Sequence, residues 1–182
     1  MTNSLKYGLA SFAVILLLFL YNQKSQDSYN ASTVEIFDGN EEDISRIKIT
    51  ENNNILELAK EDTLWTITGN DSLLINDNKI DNIFNKIIKT KREMLITSKE
   101  EKWGRFGVDD STGKHFILYD QENNELLHVI FGNKGQDFQH NYIRKNKSSD
   151  VYRTDSNIFF MLNTTPTYWG TLPKKEEKLE VE

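Results

Sequence analysis

From Tyr7 to Tyr21 the chain reads YGLASFAVILLLFLY, a run of 15 residues of which 13 are apolar and none is charged. As a helix this run is about 22 Å long, short of the ~30 Å hydrocarbon core of a bilayer. Length alone therefore leaves three readings: a cleaved signal peptide, an uncleaved signal anchor and a buried core helix. A core helix returns polar residues every third or fourth position, yet Phe12 to Tyr21 is apolar on all sides. A signal-peptidase site needs small residues at the third and first positions before the cut, and Asn22 to Tyr29 (NQKSQDSY) contains no such triplet. The chain has no cysteine, which also excludes a lipid-modified cysteine. Residues 7–21 are thus read as an uncleaved transmembrane signal anchor, helped to span by Leu5, a snorkelling Lys6 and the interfacial aromatics Tyr7 and Tyr21. Lys6 and the α-amino group face only Lys24 across the run, which favours residues 1–6 in the cytoplasm. The expected location is the inner membrane, single-pass, with the main domain extracytoplasmic in a bacterial periplasm.

The anchor holds about a fifth of the residues behind the chain's 37% apolar content; outside it the figure falls to about 32%, enough for a modest core. The net charge of −6 is the wrong sign for a nucleic-acid binder or for attachment to anionic lipid. Without cysteine there is no disulfide scaffold, thiolate metal site or thiol nucleophile. Residues 22–41 read as a polar tether, with a short strand at Thr33 to Phe37. Residues 173–182 read as a charged tail, because KKEEKLEVE follows Pro173. Between them, residues 42–172 form the expected domain.

Within that domain apolar residues alternate at Ile44, Ile47 and Ile49, then at Ile55, Leu56 and Leu58, then at Leu64, Trp65 and Ile67, with polar turns between. Three antiparallel strands are expected. Asn76 or Asp77 caps a helix with Ile80, Ile83, Phe84, Ile87 and Ile88 on one face. The basic residues Lys86, Lys89, Lys91 and Arg92 complement its negative dipole end. The pattern then repeats: strands at Phe116–Tyr119, Leu126–Phe131, Tyr142–Lys145 and Val151–Arg153, and a short helix Asn157–Leu162 capped by Ser156. The segment Met94 to Val108 joins the two. The expected class is α+β, an antiparallel β-rich domain with two strand-then-helix sub-structures.

No reading of the residues yields a catalytic set, a metal site or a cofactor. His115, His128 and His140 lack the spacings that aim two imidazoles at one ion, and His115 meets His128 only in one particular register. Asp120-Gln-Glu-Asn-Asn124 opens like a calcium loop but lacks its glycine and its closing Glu. Asp109 and Asp110, beside Gly107, read as turn carboxylates. Gly132-Asn-Lys-Gly135 lacks the spacing of a phosphate loop. The loop from Gly132 to His140 is the best candidate surface, since loops on a rigid scaffold carry function. Gln136, Asp137, Phe138 and His140, together with the aromatic Trp103, are the candidate partner- or ligand-binding residues.

Several segments together resemble a known family: the strand ending in Trp65, the helix with Ile83 and Ile87, Trp103-Gly-Arg-Phe-Gly-Val-Asp109, Phe131-Gly132, Tyr142-Ile143-Arg144 and Val151-Tyr152. Their order is similar to the domain-of-unknown-function 4340 family of bacterial envelope proteins, over about Ile44 to Trp169. Val108 stands where members typically carry Leu, and the proline usual just beyond the aspartate is absent. The resemblance implies one N-terminal anchor and an exported β-rich domain. It also implies an accessory role, with an envelope assembly such as a gliding-motility-type ABC transporter as partner, and it supplies no catalytic residues. The expectation is a non-catalytic, membrane-anchored envelope protein that binds a partner. The alternatives are a glycan- or peptide-binding module using Trp103 or Phe138, and an enzyme with an unrecognised Asp/Glu/His site.

Overall fold

In the computed structural model, residues 7–8, 11–21, 33–133 and 138–173 are described. Residues 11–21 are helical (α1), and the large side chains from Phe12 to Tyr21 are exposed, from 47% at Leu16 to 78% at Tyr21. Among the described residues no helix is long and apolar enough to cross a membrane.

The rest is α+β, built on nine antiparallel strands. These are β1 (Val34–Glu35), β2 (Arg46–Glu51), β3 (Asn54–Glu61), β4 (Leu64–Ile67), β6 (Lys91–Thr97), β7 (Lys114–Tyr119), β8 (Glu125–Gly132), β9 (Tyr142–Lys145) and β10 (Val151–Thr154). Their order across the sheet is β1-β6-β10-β9-β8-β7-β2-β3-β4. A separate two-stranded ribbon pairs β5 (Leu74–Ile75) with β11 (Gly170–Thr171). The two expected sub-structures correspond to two meanders, β2–β3–β4 and β7–β8–β9–β10, which merge into one sheet because β2 pairs with β7.

Period-two alternation sends one set of side chains to a single face. Ile47 lies opposite Leu58 and Leu118, Ile49 opposite Leu56 and Phe116, and Phe131 opposite Ile143. All are buried, and each such side chain withdrawn from water contributes about 1.5–3 kcal/mol. The same core takes in Ile80, Ile83, Ile87 and Ile88 from the helix after β5, and Ile158, Leu162 and Trp169 near the chain's end.

That helix begins as expected: the Asn76 side chain caps α2 (Asp77–Asn82) by accepting from Asn78 N. It then widens into a π-helical turn, Ile83–Ile87, where Ile88 N donates to Ile83 O at 3.0 Å. The wider turn lets Ile83, Ile87 and Ile88 all be buried. The basic end departs from expectation: Lys91 and Arg92 leave the helix and open β6, paired to β1 and β10.

Two further expectations are corrected. The short strand expected at Thr33 to Phe37 is present as β1, but the segment is joined to the domain rather than part of a tether, because β1 pairs with β6 and the adjoining Ile36 and Phe37 are buried in the core. Ser156 caps no helix. In place of the expected helix Asn157–Leu162 stands a 3-10 turn, Phe159–Met161, held by Asn141, whose side-chain oxygen accepts from Ile158 N at 2.6 Å and Phe159 N at 3.1 Å.

Candidate functional site

The opposite face of the sheet carries His115 and Ile117 from β7, His128 and Ile130 from β8, Tyr142 and Arg144 from β9, and Val151 from β10. Over it lies a short helix, α3 (Trp103–Phe106), ended by Gly107 in the left-handed region at φ 69°. Val108, Ile130 and Val151 form a second small core here, with Trp103, Phe106 and Tyr142 packed against it. The Phe106 and Tyr142 rings are 4.8 Å apart. Gly132 lies so close beneath that a Cβ there would meet the Phe106 carbonyl oxygen at 2.1 Å.

Arg144 fastens this layer down. Its Nε donates to Val108 O at 3.0 Å, its guanidinium stacks 3.8 Å from the Trp103 ring centre, and an Nη pairs with the Asp110 carboxylate. The next turn is closed by Asp109, which accepts from the Ser111 hydroxyl at 2.6 Å, the Thr112 hydroxyl at 2.5 Å and the Thr112 amide at 2.9 Å. Burial raises the Asp109 carboxyl, but the hydrogen bonds from Ser111 and Thr112 outweigh it and hold the group well below the usual carboxylate range. The Trp-Gly-Arg-Phe-Gly-Val-Asp, Phe-Gly and Tyr-Ile-Arg segments therefore meet as one brace. Its polar groups are paired with one another, an arrangement that holds a strap to a sheet.

Trp103 belongs to this brace, and its indole N–H donates to Ser149 O at 3.1 Å, in the turn between β9 and β10. Phe138 and His140 lie at the opposite end of β9, in the loop from β8. Phe138 is 86% exposed, with its carbonyl accepting from Asn157 Nδ2 at 2.8 Å. His140 Nδ1 is 2.8 Å from Thr154 O. The structure thus does not bring Trp103 together with Phe138 and His140, while Gln136 and Asp137 lie outside the described residues.

Two features go beyond the sequence reading. One is the histidine pair, which the sequence made conditional on strand register: Ile117 registers with His128 and His115 with Ile130, so the two imidazoles are diagonal neighbours on one face, with His115 Nδ1 2.9 Å from His128 Nε2. Among the described residues no group of three or more His, Asp or Glu could hold a metal ion. The other is an apolar groove of about 520 Å³ at the β4 edge of the sheet. It is lined by Leu64, Trp65, Ile67, Leu73, Leu74 and Ile75, with Glu61 and Asp71 its charged residues. Leu64 is 72% and Leu74 59% exposed, and the Trp65 ring stands on Phe84 at 5.9 Å. The bond from Thr68 N to Glu57 O sets the ladder's phase, which turns the peptide groups of Trp65 away from β3. The signal was in the sequence: Leu64 breaks the polar side of the LWTIT alternation.

A family model described as Domain of unknown function (DUF4340) matches residues 65–171. No curated protein and no solved structure matches the chain.

Proposed function

The chain belongs to the DUF4340 family, and on that premise we propose that it is a membrane-anchored, extracytoplasmic accessory protein of the cell envelope that binds a partner protein. The observation that carries the reading is α1, a helix whose large apolar side chains are all exposed on the folded chain. Each Leu, Ile, Val or Phe left in water forgoes about 1.5–3 kcal/mol, and a bilayer covers such a helix without any complementary protein surface.

The groove at β4 is the surface proposed for the partner. Open peptide groups beside an apolar trough suit an added strand, which supplies main-chain hydrogen bonds and alternate side chains. The acidic Glu61 and Asp71 select the occupant's charge: an extended segment of an envelope protein with apolar residues at alternate positions and a Lys or Arg beside them. The resemblance to proteins found beside gliding-motility-type ABC transporters favours that kind of assembly as its source.

A photoreactive amino acid at Leu64, compared with one at Asn53 in the distant β2–β3 turn, tests this in intact cells. The expected result is a Leu64-specific adduct that maps to an extended basic and apolar segment. A synthetic peptide of that segment should then bind the full-length protein and lose binding on Leu64→Asp. Adducts to lipid alone, equal adducts from both positions, or a peptide indifferent to Leu64→Asp overturn the proposal.

A further inference from the structure

The histidine pair makes three contacts in a row, and each needs a proton. His115 Nε2 is 3.0 Å from the Asp110 carbonyl oxygen, His115 Nδ1 is 2.9 Å from His128 Nε2, and His128 Nδ1 is 3.4 Å from Glu125 Oε2. The carbonyl and the carboxylate can only accept, so both outer contacts require an N–H, and the central one requires an N–H on one of its two nitrogens. Three protons are wanted, whereas two neutral imidazoles bring two. If His115 donates to Asp110, His128 must donate to His115, and His128 Nδ1 then faces Glu125 with a lone pair. The reverse tautomers serve Glu125 and lose Asp110. Two imidazolium rings bring four protons and set N–H against N–H across 2.9 Å. The vacancy is visible in the structure: His128 Nδ1 is buried without a hydrogen-bond partner, with Glu125 in ion-pair range but not aligned to accept.

We propose that His115 and His128 form a single proton-binding site, complete only when the pair carries three protons and one positive charge, which then clasps Glu125 at the β7–β8 hairpin end to the Asp110 strap. The site sits between charges of both signs. Glu125 on β8 favours the added proton. Arg144 on β9 opposes it, though its guanidinium is shared with Asp110, and Lys48 on β2 is engaged by Glu57. Burial is the largest influence on His128 and, with the nearby His115 and Arg144 charges, pushes it below the usual histidine range against the pull of Glu125. The clasp therefore stands open at neutral pH and closes in acid, a response available to a domain that faces an outside medium.

Long-range ¹H–¹⁵N spectra of the imidazoles in the full-length protein in detergent micelles, taken from about pH 8 to about pH 4, test this. The expected result is that both rings move together with one midpoint and take up one proton between them. Glu125→Gln, at a half-exposed position that tolerates change, should lower that midpoint by roughly 0.5–1 unit. Separate midpoints for the two rings, uptake of two protons in that range, or a midpoint indifferent to Glu125→Gln overturns the proposal.

Discussion

An alanine at Gly132 loads the brace at its tightest point. The added methyl carbon would stand 2.1 Å from the Phe106 carbonyl oxygen and 2.7 Å from both the carbonyl carbon and the carbonyl oxygen of Gly107. These are backbone atoms at the end of α3, so none can swing aside. Moving from 2.1 Å to an ordinary contact near 3.4 Å requires α3 and β8 to part by about 1.3 Å. Overpacking of this kind costs about 1–3 kcal/mol. The separation also draws Val108 O away from Arg144 Nε and strains the Arg144–Asp110 pair, and a buried charge that loses its partner costs about 3–5 kcal/mol. The two effects share one displacement, so their sum overcounts; a loss of about 3–5 kcal/mol is expected, a large share of a domain's usual 5–15 kcal/mol. In urea unfolding followed by tryptophan fluorescence, the midpoint should fall by at least about 1 M. Gly104→Ala is the control: it lies in the same helix, its nearest contact would be 3.9 Å away, and it should be neutral or stabilise by up to about 1 kcal/mol. A Gly132→Ala midpoint within about 0.3 M of the parent's would refute the reasoning.

Ile36→Ala should cost about 2–5 kcal/mol, because Ile36 is 1% exposed in the main core; a change that leaves the urea midpoint unmoved would return residues 33–37 to the tether. Asp109→Asn should lower stability at neutral pH and flatten its decline in acid. The folded Asp109 carboxyl titrates below its unfolded range, so its stabilisation is full above the unfolded range, begins to fall as the pH drops through it and is gone only below the folded value. Urea midpoints of parent and variant measured between about pH 7 and about pH 3 should therefore draw closer in acid, and a constant gap would contradict the hydrogen-bonded carboxylate.

The central strands were legible because each is a short alternating run bounded by Asn- or Asp-rich turns, and Asn52 and Asn123 do adopt the positive φ such turns use. β6 was not, since KREMLIT lacks alternation and follows directly on a helical pattern whose basic end looked like a dipole match. The π-helical turn is a tertiary effect: spacing of three and four serves an α-helix equally well, and only the core beneath selects the wider turn. For the candidate surface, the distinctive aromatic Trp103 turned out to be committed to Arg144, a pairing between segments 41 residues apart in sequence. The histidine pair depended on a β7–β8 register whose bulge near Tyr119 no local pattern announces. The apolar groove arises where β4 meets the β5–β11 ribbon, and that ribbon joins residues about 95 apart, so only Leu64's place in its strand hinted at it.

The absence of native cysteine permits the measurement that bears most directly on the proposal of an anchored domain outside the cytoplasm. A single cysteine at Asn53, in an exposed turn, or at Thr2 is exposed to a membrane-impermeant maleimide in intact spheroplasts and again after lysis. The Asn53 variant is expected to be labelled in intact spheroplasts and the Thr2 variant only after lysis, with both fractionating with the membrane. An Asn53 variant protected until lysis, or released into the soluble fraction, would contradict it.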